Sequence, residues 1–105
     1  MEITKITENY NFYKEGVNYV VDLGNINKGS KHPIKFKATD VKAKTFSVSV
    51  TCGCTVAEKT VIDDTTVEFE LTYSNNSTGS ITKANIIKND NKTTILKIKA
   101  NGIKL

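Results

Sequence analysis

Strict alternation of apolar and polar side chains in two segments is the feature that most constrains the fold of this chain. In residues 46–51 (FSVSVT), phenylalanine and valine alternate with serine and threonine. In residues 67–73 (VEFELTY), apolar residues alternate with glutamate and threonine. This period of two is typical of a β-strand with one face in the core and the other in water. The chain is therefore predicted to be built from strands, with Phe36, Phe46 and Phe69 in its core.

Other strand-like segments occur at short intervals and are separated by stretches rich in Gly, Asn, Asp and Ser. They are residues 17–24, 33–38, 56–62, 81–88 and 96–100. A chain of 105 residues forms one domain. Regularly spaced short strands favour an all-β fold, an immunoglobulin-like antiparallel β-sandwich of about seven to eight strands. We assign residues 17–105 to this domain and residues 1–16 to an N-terminal arm or leading strand.

Aromatic residues cluster near the N-terminus at Tyr10, Phe12 and Tyr13. Strand alternation does not require them in a core, and tyrosine suits a half-wet interface because it combines an apolar ring with a hydroxyl group. We therefore expect this segment to form the main protein contact, so that removing residues 1–13 leaves a folded domain unable to bind. The full set of candidate interface residues adds part of the following turn: Tyr10, Phe12, Tyr13, Asn25, Ile26 and Lys28.

The positive charge of the chain comes from lysine alone. The formal net charge is +4, and the sequence contains no arginine. Contacts to phosphate and guanine favour the guanidinium group, so we expect no nucleic-acid partner. Lys35, Lys37, Lys97 and Lys99 occupy alternate positions and are expected on solvated sheet faces. No apolar run resembles a signal peptide or a membrane span, so we expect a protein that is used without export and has no membrane partner.

The two cysteines, Cys52 and Cys54, flank Gly53. Residues two apart in an extended strand lie about 6.6 Å apart, near the upper limit for a disulfide, so we expect reduced thiols with Cys52 buried. A bend at Gly53 would permit a bond between them. A thiol redox protein that uses Cys52 and Cys54 is therefore an alternative function.

The sequence does not favour metal binding or catalysis. His32 is the only histidine, and with the two thiols it gives three candidate ligands, one fewer than a four-ligand zinc site. His32 precedes Pro33 in a predicted turn, where a histidine is more often simply exposed. His32 is also the only candidate base for a Cys54 nucleophile, with no third group to orient it. We therefore expect no metal, no cofactor and no enzymatic activity.

Two motifs and a closing turn resemble those of a bacterial family of unknown function. Residues 22–29 (DLGNINKG) are similar to its strand end and glycine-closed turn, residues 52–56 (CGCTV) to its Cys-Gly-Cys-Thr motif, and Asn89-Asp90 to its closing turn. This family is similar to the Hydin-type immunoglobulin-like domains, and the resemblance covers residues 18–103. It implies a binding or structural module without catalytic residues, whose structural motif here is Asp22, Gly24, Cys52, Gly53, Cys54 and Thr55.

A single immunoglobulin-like domain with an aromatic N-terminal segment also looks like the small decoration proteins of tailed phages. On this analogy the chain is an auxiliary (decoration or cement) protein on the outside of a phage capsid. It would be made in the host cytoplasm and bound in many copies to the major capsid protein. The alternative is a cellular scaffold or adhesion-type immunoglobulin-like domain in the bacterial cytoplasm.

Overall fold

The computed structural model describes residues 1–104, which form nine β-strands and one short 3-10 helix (Ala43–Thr45). The strands are β1 (Glu2–Lys5), β2 (Asn11–Glu15), β3 (Asn18–Asn27), β4 (Lys31–Thr39), β5 (Phe46–Val50), β6 (Thr55–Asp63), β7 (Thr66–Ser74), β8 (Gly79–Asn89) and β9 (Lys92–Ile103).

The strands form two sheets. The four-stranded sheet has the order β1-β4-β7-β6, and the five-stranded sheet has the order β2-β3-β9-β8-β5. All neighbouring strands are antiparallel except β3 and β9, which run parallel. The sheets pack face to face around one core, so the predicted all-β sandwich is confirmed.

The structure has more strands than the seven to eight expected, because residues 1–16 contribute two. β1 pairs with β4 in one sheet, and β2 pairs with β3 in the other. Tyr10, which joins the two strands, has a φ of 77°, a left-handed backbone conformation that is uncommon for an aromatic residue. Residues 1–16 therefore lie within the sandwich on both of its layers.

Aromatic rings fill the middle of the core. Phe36 and Phe69 stack with ring centroids 5.1 Å apart, and Phe46 approaches Phe69 at 5.8 Å. All three rings are buried, as the alternation predicted. They come from β4, β5 and β7, so the central packing joins both sheets.

Four loops gather at one end of the sandwich, which we call the cystine end: residues 6–10, 28–30, 51–54 and 75–78. Asn75 lies fully buried between them. Its side-chain Nδ2 donates to the Asn27 carbonyl oxygen (3.1 Å), and its Oδ1 accepts from the Tyr73 hydroxyl (3.3 Å) and the Ser77 N–H (3.1 Å). One amide side chain therefore positions two of these loops.

Candidate functional site at the cystine end

The structure divides the six candidate interface residues between core and surface. Phe12 points inward, where it stacks on Tyr19 at 5.4 Å and approaches Phe36 at the same distance. Ile26 is only 4% exposed and belongs to the core cluster. Because their rings and methyl groups stabilise the sandwich, these two residues are removed from the candidate interface.

Tyr13, Asn25 and Lys28 do lie on the surface. Tyr13 is 43% exposed, on the outer face of the five-stranded sheet, where it pairs in register with Val20. Asn25 lies at an irregularity in β3, and its Oδ1 accepts a hydrogen bond from Asn101 Nδ2 (2.9 Å). Lys28 occupies the exposed turn after β3. These three side chains therefore remain available to a partner.

Tyr10, the last of the six, is half-buried and bonds to His32. Its hydroxyl lies 3.0 Å from His32 Nδ1, and Ser30 Oγ lies 2.7 Å from His32 Nε2. The Ser30 hydroxyl also lies 2.5 Å from the carbonyl oxygen of Asn27, which can only accept, so the hydroxyl donates there. Ser30 Oγ then accepts from Nε2–H, and Nδ1 accepts from Tyr10.

In this arrangement the imidazole ring of His32 is neutral, with its proton on Nε2. Burial lowers the pKa of His32, because desolvation disfavours the charged ring. Both ring nitrogens have partners in Tyr10 and Ser30, so His32 is not oriented as a base for Cys54. Its arrangement instead fixes the loop of residues 6–10 to the start of β4.

The two cysteines form a disulfide, which corrects the expectation of reduced thiols and a buried Cys52. Residues 51–54 make a turn instead of an extended strand, and this turn brings the Cα atoms of Cys52 and Cys54 to 5.1 Å. That separation lies within the range a disulfide allows. Both cysteines are half-buried, and only Cys54 packs against the core cluster. Cys52 therefore lies outside the core packing.

Hydrogen bonds also hold this turn in place. The Thr55 N–H donates to the Cys52 carbonyl (3.1 Å), and the Ser74 N–H donates to the Cys54 carbonyl (2.8 Å). The Thr51 hydroxyl donates to the Ala84 carbonyl (2.7 Å). The remaining residues of the motif have structural roles: Thr55 is buried, Asp22 Oδ1 accepts from the Gly24 N–H (2.9 Å), and Gly24 has a φ of 68°.

The Cys52–Cys54 turn connects β5 to β6, which are edge strands of the two sheets. We call the side of the sandwich formed by these two strands the open side. Lys59 on β6 donates from Nζ to the Phe46 carbonyl on β5 (2.9 Å). A side chain of the four-stranded sheet thus supplies a hydrogen-bond donor to a backbone carbonyl at the edge of the five-stranded sheet. Val56, Val61 and Ile62 on β6 are each more than half exposed. The sequence did not reveal this surface, because valine and isoleucine in a strand usually indicate burial.

A second open region lies at the opposite end of the sandwich. An open cleft of about 510 Å³ is bordered by the loop at Asp40–Lys42 and the hairpin at Asn89–Lys92. Lys42 forms an ion pair with Asp90 (3.2 Å) at its edge. The Asn89 side chain donates to the Lys42 carbonyl (2.9 Å) and accepts from the Lys42 N–H (3.2 Å). The rim is therefore ordered by polar contacts.

Within residues 1–104, no three His, Cys, Asp or Glu side chains converge as metal ligands would. No helix in this part of the chain is long and apolar enough to cross a membrane.

No protein-family model matches the chain, and the comparison with curated proteins finds no match. Among solved structures, the chain is similar to part of the endo-fucoidan hydrolase MfFcnA4 from glycoside hydrolase family 107. The identity is 12% and the TM-score 0.48, over 90% of this chain and 15% of that one. It is also similar to domains 4 and 5 of the S-layer protein SbsC, with 17% identity and a TM-score of 0.43, over 95% of this chain and 54% of that one. Such similarities transfer no activity to this chain.

Proposed function

We propose that this chain is a non-enzymatic structural or binding module, and specifically an auxiliary protein on the outside of a phage capsid. Several copies would dock on the major capsid protein through a preformed surface of the sandwich. Since a β-sandwich hosts many unrelated functions, the proposal rests on the surface of this chain and not on the fold.

The distribution of exposed apolar side chains supports this proposal. Seven large apolar side chains are exposed among residues 1–104, and four of them lie on the two edge strands of the open side. These four are Val50, Val56, Val61 and Ile62. Val56 pairs with Thr72 on the outer face of the four-stranded sheet, whereas Val61 and Val50 pair with the buried Val67 and Asn85. The four side chains therefore follow one edge of the sandwich, and exposed apolar groups concentrated along an edge suit a protein contact.

Away from the edge strand β6, the outer face of the four-stranded sheet is charged. Lys35 pairs in register with Glu70, and Lys37 pairs with Glu68. Glu70 also faces Glu58 on β6, so this face carries interspersed charges of both signs, as a solvated surface does. The lysines on β4 therefore fit the predicted solvated face.

The size of the domain is compatible with such docking. A stable contact buries about 800 Å² per partner. The accessible surface of the chain is 6036 Å², so one contact of that size would use a little over a tenth of it. The domain measures 45 × 25 × 24 Å, and one long side can supply that area.

Two observations test the capsid role. The first is the gene neighbourhood, where capsid, portal and terminase genes support the proposal and cell-envelope genes favour a cellular scaffold. The second is mass spectrometry of purified particles of the phage that encodes the chain. Absence of the chain from intact particles would rule out the capsid role.

Binding of variants to purified shells then locates the surface. Val56→Lys and Ile62→Lys place charges on the open side and are expected to reduce cosedimentation at least about tenfold if these residues are anchors. Val17→Lys is the control, because Val17 is 75% exposed at the tip of the β2–β3 hairpin, away from the open side. Loss of binding in Tyr13→Lys alone would instead place the contact on the outer face of the five-stranded sheet.

A further inference from the structure

We propose that the turn of Cys52, Gly53 and Cys54 is a thiol–disulfide exchange site whose substrate is an exposed pair of thiols on a protein. This proposal is independent of the capsid role, because it concerns the chemistry of the turn and not the partner of the open side. Cys52 is the sulfur that the substrate attacks. Cys54 is the leaving sulfur of that step and, in the reverse direction, the sulfur that resolves the mixed disulfide.

The position of the turn allows a substrate to reach it. Cys52 is half-buried at the end of the sandwich and does not pack against the core cluster, in contrast to Cys54. Apart from the turn residues 52–54 themselves, no heavy atom of residues 1–104 lies within 4 Å of the position that a Cβ would occupy on Gly53. No other part of this range therefore covers the turn at Gly53, which leaves room for a peptide backbone to approach.

The disulfide is not needed to hold the turn. It encloses only one residue, and the entropy that a cross-link removes from the unfolded chain falls as the enclosed loop becomes shorter. The hydrogen bonds from Thr51, Thr55 and Ser74 described above use no sulfur atom. The turn is therefore expected to keep its shape after reduction, with the two thiols close enough to bond again.

A backbone N–H group favours a thiolate at Cys52. The Cys54 N–H points to Cys52 Sγ at 3.2 Å. A hydrogen bond to an ionised acceptor is stronger than one to a neutral acceptor, so it stabilises the thiolate released on reduction. Stabilising the reduced form makes a disulfide a stronger oxidant, and an accessible thiolate next to a resolving cysteine is the arrangement that exchange requires.

The reaction exchanges two electrons and needs no other reagent. A substrate thiolate attacks Cys52 Sγ, a bond forms between these two sulfurs, and the bond to Cys54 Sγ breaks. The electron pair passes to Cys54, which takes up the proton released by the substrate. The second substrate thiolate then attacks the first substrate sulfur and displaces Cys52 as a thiolate. The substrate dithiol becomes a disulfide, and Cys52 and Cys54 become a dithiol.

The first test mixes the oxidised full chain with a synthetic peptide that carries two cysteines, and follows peptide oxidation by mass spectrometry. One peptide disulfide per chain is expected, with two new thiols at Cys52 and Cys54, faster than with oxidised glutathione at equal concentration. Circular dichroism of the reduced wild-type chain is expected to remain that of a folded sandwich. Unfolding on reduction would show that the bond is only a staple, and a slower reaction than glutathione would also overturn the proposal.

The second test separates the roles of the two sulfurs in folded single variants. Cys54→Ser leaves Cys52 with its hydrogen-bond donor, and its thiol is expected to be alkylated by iodoacetamide at lower pH than that of Cys52→Ser. Cys54→Ser is also expected to trap a mixed disulfide with an oxidised peptide more rapidly. Equal pH profiles and equal trapping rates would contradict the assigned roles, and the wild-type experiment stands whether or not these variants fold.

Discussion

The hydroxyl oxygen of Tyr19 on β3 accepts a hydrogen bond from the backbone N–H of Ile3 on β1, at 3.3 Å. The two residues belong to different sheets, and both are buried. The ring of Tyr19 also stacks on Phe12, with only 6° between the ring planes. Tyr19 therefore attaches both N-terminal strands to the sandwich.

Tyr19→Phe keeps the ring and removes this bond. It is expected to lower the free energy of unfolding by about 1–2 kcal/mol, because the buried Ile3 N–H loses its acceptor. Urea denaturation measures the change, and hydrogen exchange at Ile3 is expected to speed up. Tyr13→Phe is the control, since Tyr13 lies on the surface; equal effects in both variants would argue against the role of the bond.

Phe12→Ala is expected to lower the free energy of unfolding by about 2 kcal/mol. This loss is smaller than for a fully buried phenylalanine, because the Phe12 ring is only half-buried. Removal of residues 1–13 is expected to cost more and to expose the core beside Phe36, in contrast to the prediction from sequence that the truncated domain stays folded. Asn11→Ala, an exposed change on the same strand, is expected to stay within about 0.5 kcal/mol of wild type. If the truncated chain has the same denaturation curve as wild type, the N-terminal segment is a separable arm, as predicted from sequence.

Gly102→Ala is expected to lower stability by at least about 2 kcal/mol through overpacking. A Cβ at this position would overlap the backbone carbonyl of Ser77, and backbone cannot move aside as a flexible side chain can. Gly53→Ala is the matched control, because its Cβ would meet open space. Thermal unfolding of the two variants tests the close approach of β9 to the loop of residues 75–78.

Lowering the pH from about 7 to 5 is expected to destabilise the wild-type chain through His32. Burial lowers the pKa of His32 in the folded state, so the unfolded chain binds the proton more readily. This contribution is therefore complete above the unfolded pKa of about 6.5 and is lost as pH falls towards the folded value.

His32→Gln removes the only histidine, so the slope of unfolding free energy against pH in this window is expected to flatten. The pKa values of Asp63 and Asp90 are lowered chiefly by hydrogen bonds from the Thr65 N–H and the Thr45 side chain, and these groups titrate in a more acidic range. A variant with the wild-type slope between pH 5 and 7 would show that His32 is not the titrating group.

The sequence predicted most accurately the strands that have one face in the core and one in water, because the alternation of apolar and polar residues in them follows burial directly. β7 is an example: Val67, Phe69, Leu71 and Tyr73 face the core, and the intervening residues face outward. β8 departs from this simple alternation. Asn85 takes a buried inward position, while its neighbour Ile86 pairs with Ile95 on the outer face.

Features that depend on long-range contacts or on a local bend were not predictable in the same way. The chain crosses between sheets at Tyr10, and the bond to His32 that accompanies this crossing joins residues 22 positions apart. Residues 56–62 were predicted as a strand, but the position of β6 at a sheet edge leaves Val56 exposed. The prediction of reduced cysteines assumed an extended backbone, and the turn at Gly53 made that assumption wrong.

The parallel pairing of β3 with β9 bears on how the protein is made. β9 lies at the centre of the five-stranded sheet, yet among the nine strands it is the one synthesised last. During translation β3 emerges early and can pair with β2, but its other edge stays open until residues 96–103 have left the ribosome. Pairing across so large a sequence separation is slow. The nascent chain thus spends most of its synthesis with β3 paired to β2 on one edge and open on the other, the period in which a chaperone would protect it best.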